Sequence, residues 1–329
     1  MAKIIIGIHG LGNKPKADLF ESWWIRSIEE GLLRINSPVK KFKFKMVYWS
    51  DIMHPVPEDI EIRDKENKLY LREPYIPAPN TREPKKGMSF SAKFLRYIGS
   101  QLDRIFLKED MTLNFNGVSN HIIRKYFNDL QVYFSADIKI VDGKEVPVRD
   151  IICDRLISVL KKHKNDRVML IAHSMGSIIA YDVMINNPQF KINTVITIGS
   201  PLGLPIITSR LYAEQKVKGD LAMPENVISK WYNLSDPRDY VALDHTLADD
   251  FKANSRGVYA EDLTVYNDYH SGVEANPHKA FGYLRCYETA HIINDFLEKD
   301  YNYFVHKYNK IRRKISGLFT RKKQPGVFN

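Results

Sequence analysis

Apolar positions along this chain alternate between two rhythms. Residues 3–8 (KIIIGI) form a short continuous apolar run of strand length. Residues 17–34 follow with Leu19, Trp23, Ile25, Ile28, Leu32 and Leu33 at broadly helical spacing. Residues 42–49 (FKFKMVYW) alternate and then run apolar, which predicts a second strand. After a long interruption the same rhythms return. A helix is predicted over 149–162, with Ile151, Ile152, Leu156, Val159 and Leu160 as its apolar positions. Next come a strand over 167–172 and a helix over 175–186, stopped by Asn186-Asn187-Pro188. Strands over 193–198, 228–234 and about 263–267 follow, then a helix over about 280–298. Strands alternating with helices predict an α/β fold with a mostly parallel sheet covered by helices on both faces.

The interruption, residues 51–148, has a different texture. Pro55, Pro57, Pro74, Pro77, Pro79 and Pro84 fall among many charges, which argues against regular structure over 51–87. From Phe90 to Phe106, the residues Phe90, Phe94, Leu95, Ile98, Leu102, Ile105 and Phe106 share one helical face. The expected organisation is therefore a core over 1–50 and 149–300, an insertion over 51–148, and a tail over 301–329. The insertion occupies the place of a cap or lid over the C-terminal ends of the strands. The alternative is that its apolar helix simply packs on the core.

Composition adds bounds. The chain has 329 residues, 44% of them hydrophobic, enough for one large core or a core plus an inserted unit. Two cysteines, Cys153 and Cys286, supply no disulfide framework, and no Cys/His cluster has the spacing of a structural zinc site. The N-terminal apolar run is too short for a signal peptide, and no stretch approaches transmembrane length. A cytoplasmic or membrane-peripheral protein is the expectation. Eight of the ten net positive charges lie in residues 301–329, which contain no acid. The basic character thus belongs to the tail, and no nucleic-acid partner is expected. In that tail Tyr301, Phe304, Val305, Tyr308, Ile311, Ile315, Leu318 and Phe319 have helical spacing with basic residues between. This pattern fits either a helix seeking an anionic membrane surface or a final packed helix with a basic end.

Candidate chemistry sits at the two ends of the central pattern. In "VMLIAHSMGSIIAYDVM" (168–184) a strand run ends in Ala172-His173-Ser174-Met175-Gly176 and a helix begins. Small residues two before and two after a serine are what a sharp strand-to-helix turn needs, and such a turn exposes the serine as a nucleophile. A helix N-terminus there also favours developing negative charge. The competing role for Ser174 is an ordinary helix cap. Near the N-terminus a strand ends in His9-Gly10-Leu11-Gly12-Asn13. Glycines let this backbone turn over the strand ends and offer an amide to a reacting oxygen. The backbone N–H groups of Leu11 and Met175 are the candidate oxyanion pair. A phosphate-binding loop is the alternative, but the third glycine of G-x-G-x-x-G and the Lys-Ser/Thr of a P-loop are missing.

Together, the H-G-x-G loop, the A-H-S-M-G turn and the strand–helix order resemble the α/β-hydrolase superfamily. They are most similar to bacterial lipases and esterases, with Ala172 where the usual pattern has Gly. The segment ITIGSPLGLP (196–205) is similar to the same group. The resemblance covers residues 3–15, 166–203, 229–245 and 264–298. It implies a serine hydrolase without cofactor or metal, acting on a small-molecule or lipid ester through an acyl-enzyme. An acyltransferase or thioesterase with the same residues, or a catalytically silent hydrolase-fold binding protein, are the alternatives. The family order of nucleophile, acid, histidine points to Asp239, in the D-x-V pattern Asp239-Tyr240-Val241, with Asp236 as the alternative. It points to His278 for the base, ahead of His270 and more distantly His291. His9, Gly10, Gly12, His173 and Gly176 are expected to shape the site.

Overall fold

The structure is a computed structural model that describes residues 1–78, 129–135, 137–215, 221–239, 241–242, 244–271 and 274–298. Its centre is a six-stranded sheet of β1 (Lys3–Ile8), β2 (Phe44–Val47), β3 (Arg167–His173), β4 (Ile192–Ile198), β5 (Val227–Ser235) and β6 (Ala260–Thr264). The spatial order is β6-β5-β4-β3-β1-β2. Every neighbouring pair is parallel. The labelled helices are α1 (Ala17–Arg34), α2 (Val148–Lys162), α3 (Met175–Asn186), α4 (Pro205–Gln215), α5 (Ala280–Leu284) and α6 (Tyr287–Glu298).

Side chains alternate across the sheet, and both faces are apolar, which explains why the strands read as unbroken hydrophobic runs. Ile4, Ile6 and Ile8 of β1, with Val168, Leu170 and Ala172 of β3, share a core layer with Ile152 and Leu156 of α2 and Ile178 and Ile179 of α3. Ile5, Met169 and Ile171 enter the opposite layer, with Trp24 and Ile28 of α1, Phe281 of α5 and Ile293 of α6. Helix α3 is buried from Met175 to Met184, so it has no polar face to read. A parallel sheet sandwiched between helix layers is the expected α/β architecture, and it is consistent with an α/β-hydrolase fold.

Several boundaries depart from the sequence pattern. The predicted strand at 263–267 forms earlier, at Ala260–Thr264, because register with β5 pairs Ala260 with Trp231 and Thr264 with Ser235. The predicted helix over 280–298 is broken into α5 and α6. At the break, Arg285 turns inward, fully buried, to meet Asp268 and Glu30. Helix α4 and an antiparallel hairpin of Ile138–Val141 with Lys144–Pro147 were not predicted. The hairpin turns at Asp142-Gly143, both at positive φ, the sequence signal of a tight two-residue turn.

Two expected features, the helix over 90–106 and the basic tail over 301–329, lie outside the described residues. Described flanks of the insertion pack on the core. Residues 71–78 lie against α1 and the 267–279 loop. There Tyr75 donates to Glu30 (2.5 Å), Arg285 donates to Ile76 O (2.7 Å) and Tyr269 donates to Pro74 O (2.7 Å). On the return side Leu130 and Tyr133 are buried, and the Tyr133 hydroxyl donates to Asp182 of α3 (2.7 Å). Among the described residues no helix is long and apolar enough to cross a membrane.

Candidate active site

Strand β3 ends and α3 begins at Ser174, which is 1% exposed and has φ +55° and ψ −129°. A non-glycine residue in that conformation carries strain of about 1–3 kcal/mol. The Ser174 side chain makes no capping hydrogen bond to α3, so it does not act as a helix cap. Instead, its Oγ lies 3.0 Å from Nε2 of His278. Nδ1 of His278 lies 2.9 Å from both carboxylate oxygens of Asp239. A carboxylate only accepts, so Nδ1 carries the ring proton and Nε2 is left to accept from the Ser174 hydroxyl. Asp239 is fully buried and also accepts from the Val241 N–H (2.9 Å), the Ala242 N–H (3.4 Å) and the Tyr283 hydroxyl (2.7 Å).

The alternatives fall elsewhere. Asp236 is saturated by Arg238 (2.9 and 2.6 Å) and by the N–H groups of Arg238 (2.8 Å) and Asn267 (2.7 Å). It braces the loop and does not meet His278. His270 is exposed, with Nδ1 3.1 Å from the carbonyl of Asp268. His291, on α6, is exposed and packs on Tyr287 at 4.3 Å between ring centroids.

The H-G-x-G loop crosses directly over this group. A Cβ on Gly10 would sit 2.7 Å from the Ser174 Cβ and 3.2 Å from its Oγ. On the other side of the elbow, a Cβ on Gly176 would meet the carbonyl oxygens of Ile8 and His9, each at 2.7 Å. Both positions therefore have room for glycine alone. Gly10→Ala is expected to force the loop and Ser174 apart and to cost about 1–3 kcal/mol of stability, read by urea denaturation. The N–H groups of Leu11 and Met175 have no acceptor among the described residues.

Two further histidines frame the site. His9 is fully buried. Its Nε2 accepts from the Trp49 N–H (3.1 Å), its Nδ1–H donates to Gly10 O (2.7 Å), and its ring stacks on Trp49 at 4.8 Å. Burial, with Lys14 adding to it, pushes His9 well below the ordinary histidine range, so the ring is neutral. Nε2 of His173 donates to the carbonyl of His278 (2.7 Å) and ties the elbow to the histidine loop. Burial first, then the neighbouring His278, lowers His173 well below its usual value. A neutral His173 places no fixed positive charge 4.8 Å from the His278 ring.

Three contributors were not singled out in the sequence. Tyr283 looks like one more apolar residue of a helix, yet its hydroxyl bridges Asp239 and the Asp236 N–H (2.9 Å). Burial, and then Asp239, raise the Tyr283 hydroxyl well above its usual range, so it stays a donor. Tyr283→Phe strips a partner from both groups and is expected to cost about 2 kcal/mol of stability, read by urea denaturation. Gly199 follows β4, where a Cβ would lie 2.8 Å from Asp239 Oδ2 and 3.2 Å from His278 Nδ1. Glu73, on the entry flank of the insertion, pairs with Lys279 (2.9 Å) and accepts from Asn276, on either side of His278. Lys279, working against burial, draws the Glu73 carboxyl down to about 2. Among the described residues no group of three or more His, Cys, Asp or Glu side chains is arranged to hold a metal.

No curated protein matches the chain in sequence. Residues 86–271 match a family described as the PGAP1-like alpha/beta domain. That match contains Ser174 and Asp239 and ends before His278. It covers more than half of the 329 residues, and the sheet around it is the fold such a domain requires. The chain therefore belongs to the PGAP1-like alpha/beta-domain family.

Proposed function

We propose that this protein is a serine hydrolase that cleaves carboxylic esters, of lipids or other acyl compounds, through an acyl-enzyme on Ser174. The observation that carries the proposal is the unbroken hydrogen-bond chain from Asp239 through His278 to a strained serine at a helix N-terminus. In this mechanism His278 Nε2 takes the Ser174 proton as Oγ attacks the ester carbonyl. The N–H groups of Leu11 and Met175 receive the oxyanion, and the N-terminus of α3 favours the same charge. Asp239 holds the Nδ1–H tautomer and stabilises the imidazolium. Collapse of the tetrahedral intermediate expels the alcohol, which takes the proton from His278. Water, deprotonated by His278, then releases the acid and regenerates Ser174.

The test is covalent labelling by a fluorophosphonate, located by peptide mass spectrometry. A single adduct on Ser174 is expected. An unlabelled wild-type protein, or an adduct on another residue, would sink the proposal. A chain-length series of p-nitrophenyl esters, run with a phospholipid panel, then identifies the preferred acyl group.

A further inference from the structure

The loop presenting Leu11 is held by side chains, not by a strand ladder. Two successive peptide planes meet at Leu11. In the first, Gly10–Leu11, the carbonyl accepts from His9 Nδ1 (2.7 Å). A trans peptide directs its C=O and N–H to opposite sides, so the Leu11 N–H points away from His9. In the second, Leu11–Gly12, the carbonyl accepts from Lys14 Nζ (2.5 Å) and the Gly12 N–H donates to Asp129 Oδ2 (2.6 Å). Gly12 has φ +81°, and Lys14 also donates to its carbonyl (2.9 Å). The second plane is thus gripped at both ends by opposite charges, and charge-assisted bonds of this length are the stronger kind. The backbone at Leu11 is thus constrained on both sides, by one bond before it and by a bond at each end of the peptide after it.

Asp129 comes from the return flank of the insertion, 117 residues away in sequence, and is 5% exposed. His54 Nε2 lies 3.4 Å from the same carboxylate oxygen. Burial alone would raise this carboxyl, but His54, the Gly12 N–H and Lys14 together outweigh it and hold it below the usual range. The group is therefore a carboxylate at neutral pH.

We propose that Asp129 is a positioning residue for the oxyanion amide. Its carboxylate, pulling against Lys14, fixes the Leu11–Gly12 peptide and so, through the shared Leu11 Cα, limits how far the adjoining Gly10–Leu11 peptide, which carries the Leu11 N–H, can turn. The inference rests on the serine-hydrolase proposal above. It goes beyond that proposal by making the root of the insertion part of the catalytic alignment.

The experiment compares wild type, Asp129→Ala, Asp129→Asn and Lys14→Met with a p-nitrophenyl ester. Active sites are counted by fluorophosphonate titration, and thermal stability is recorded in parallel. A misdirected oxyanion donor is felt only in the transition state, so kcat per titrated site should fall in Asp129→Ala by about 10–100-fold. KM should stay within about twofold. Asp129→Asn keeps an oxygen for the Gly12 N–H and should recover part of the loss. Lys14→Met releases the other end of the same peptide and should lower kcat in the same selective way. This second variant carries the test if Asp129→Ala fails to fold. A purely structural role predicts fewer titratable sites and a lower Tm at unchanged kcat per site, and that result would overturn the inference. If wild type itself neither labels nor turns over ester, the hydrolase proposal falls and this inference falls with it. Labelled, active wild type with a fully active Asp129→Ala removes the inference alone.

Discussion

Replacing Ser174 by alanine should abolish fluorophosphonate labelling and lower ester kcat by about 10⁶-fold, the scale on which a nucleophile of this kind acts. In the proposed mechanism the loss is large because Oγ is the atom that bonds to the substrate. What remains without it is the contribution of substrate binding and oxyanion donors, about 10³–10⁴ over water. Folding should hardly change. Alanine adopts the same φ of +55° at similar strain, and the one hydrogen bond removed, to His278, is partly exposed at its histidine end. Circular dichroism and Tm close to wild type, together with lost labelling, are the expected pair of results. Equal labelling of the variant would overturn the assignment.

The second large effect separates two aspartates three residues apart. Asp239→Asn should lower kcat by about 10⁴-fold with the fold intact, because an amide no longer enforces the Nδ1–H tautomer of His278. Asp236→Asn should leave the chemistry in place and cost about 3 kcal/mol of stability. In that variant one donor-bearing amide nitrogen faces the fork of Arg238 and the N–H of Asn267, where two carboxylate oxygens now accept four bonds. Parallel kinetics and urea denaturation read both. The reverse outcome, activity lost in Asp236→Asn and kept in Asp239→Asn, would move the acid of the mechanism.

These two aspartates also mark how far the sequence can be read. Both follow the same strand, both are buried, and both start turn-like patterns. Local pattern could order them only by resemblance to D-x-V. The decision lies in distant residues. Tyr283, 44 positions on, and Gly199, 40 positions before, leave a space into which the Asp239 carboxylate alone reaches His278. The break between α5 and α6 has the same origin. Helical periodicity continues through Arg285, but the Asp268 and Glu30 carboxylates draw its guanidinium inside, and the helix ends there. The hairpin at 138–147 is different: it was not predicted, although Asp142-Gly143 is a local turn signal between two short strands.

Sequence alone determined the parallel sheet and its helix layers, and the two small-residue turns at Gly10 and Ser174. Each depends on local rules: side-chain alternation, helical period, and the steric need for a missing Cβ where backbones touch. Tertiary structure decided which aspartate meets His278, how Tyr283 braces it, and that Asp129 and Lys14 grip the Leu11–Gly12 peptide. Apart from the local Lys14 contact, those choices join residues 39 to 117 positions apart through hydrogen bonds 2.6–3.0 Å long. A single polar side chain in a sequence carries no mark of the partner that folding will set beside it.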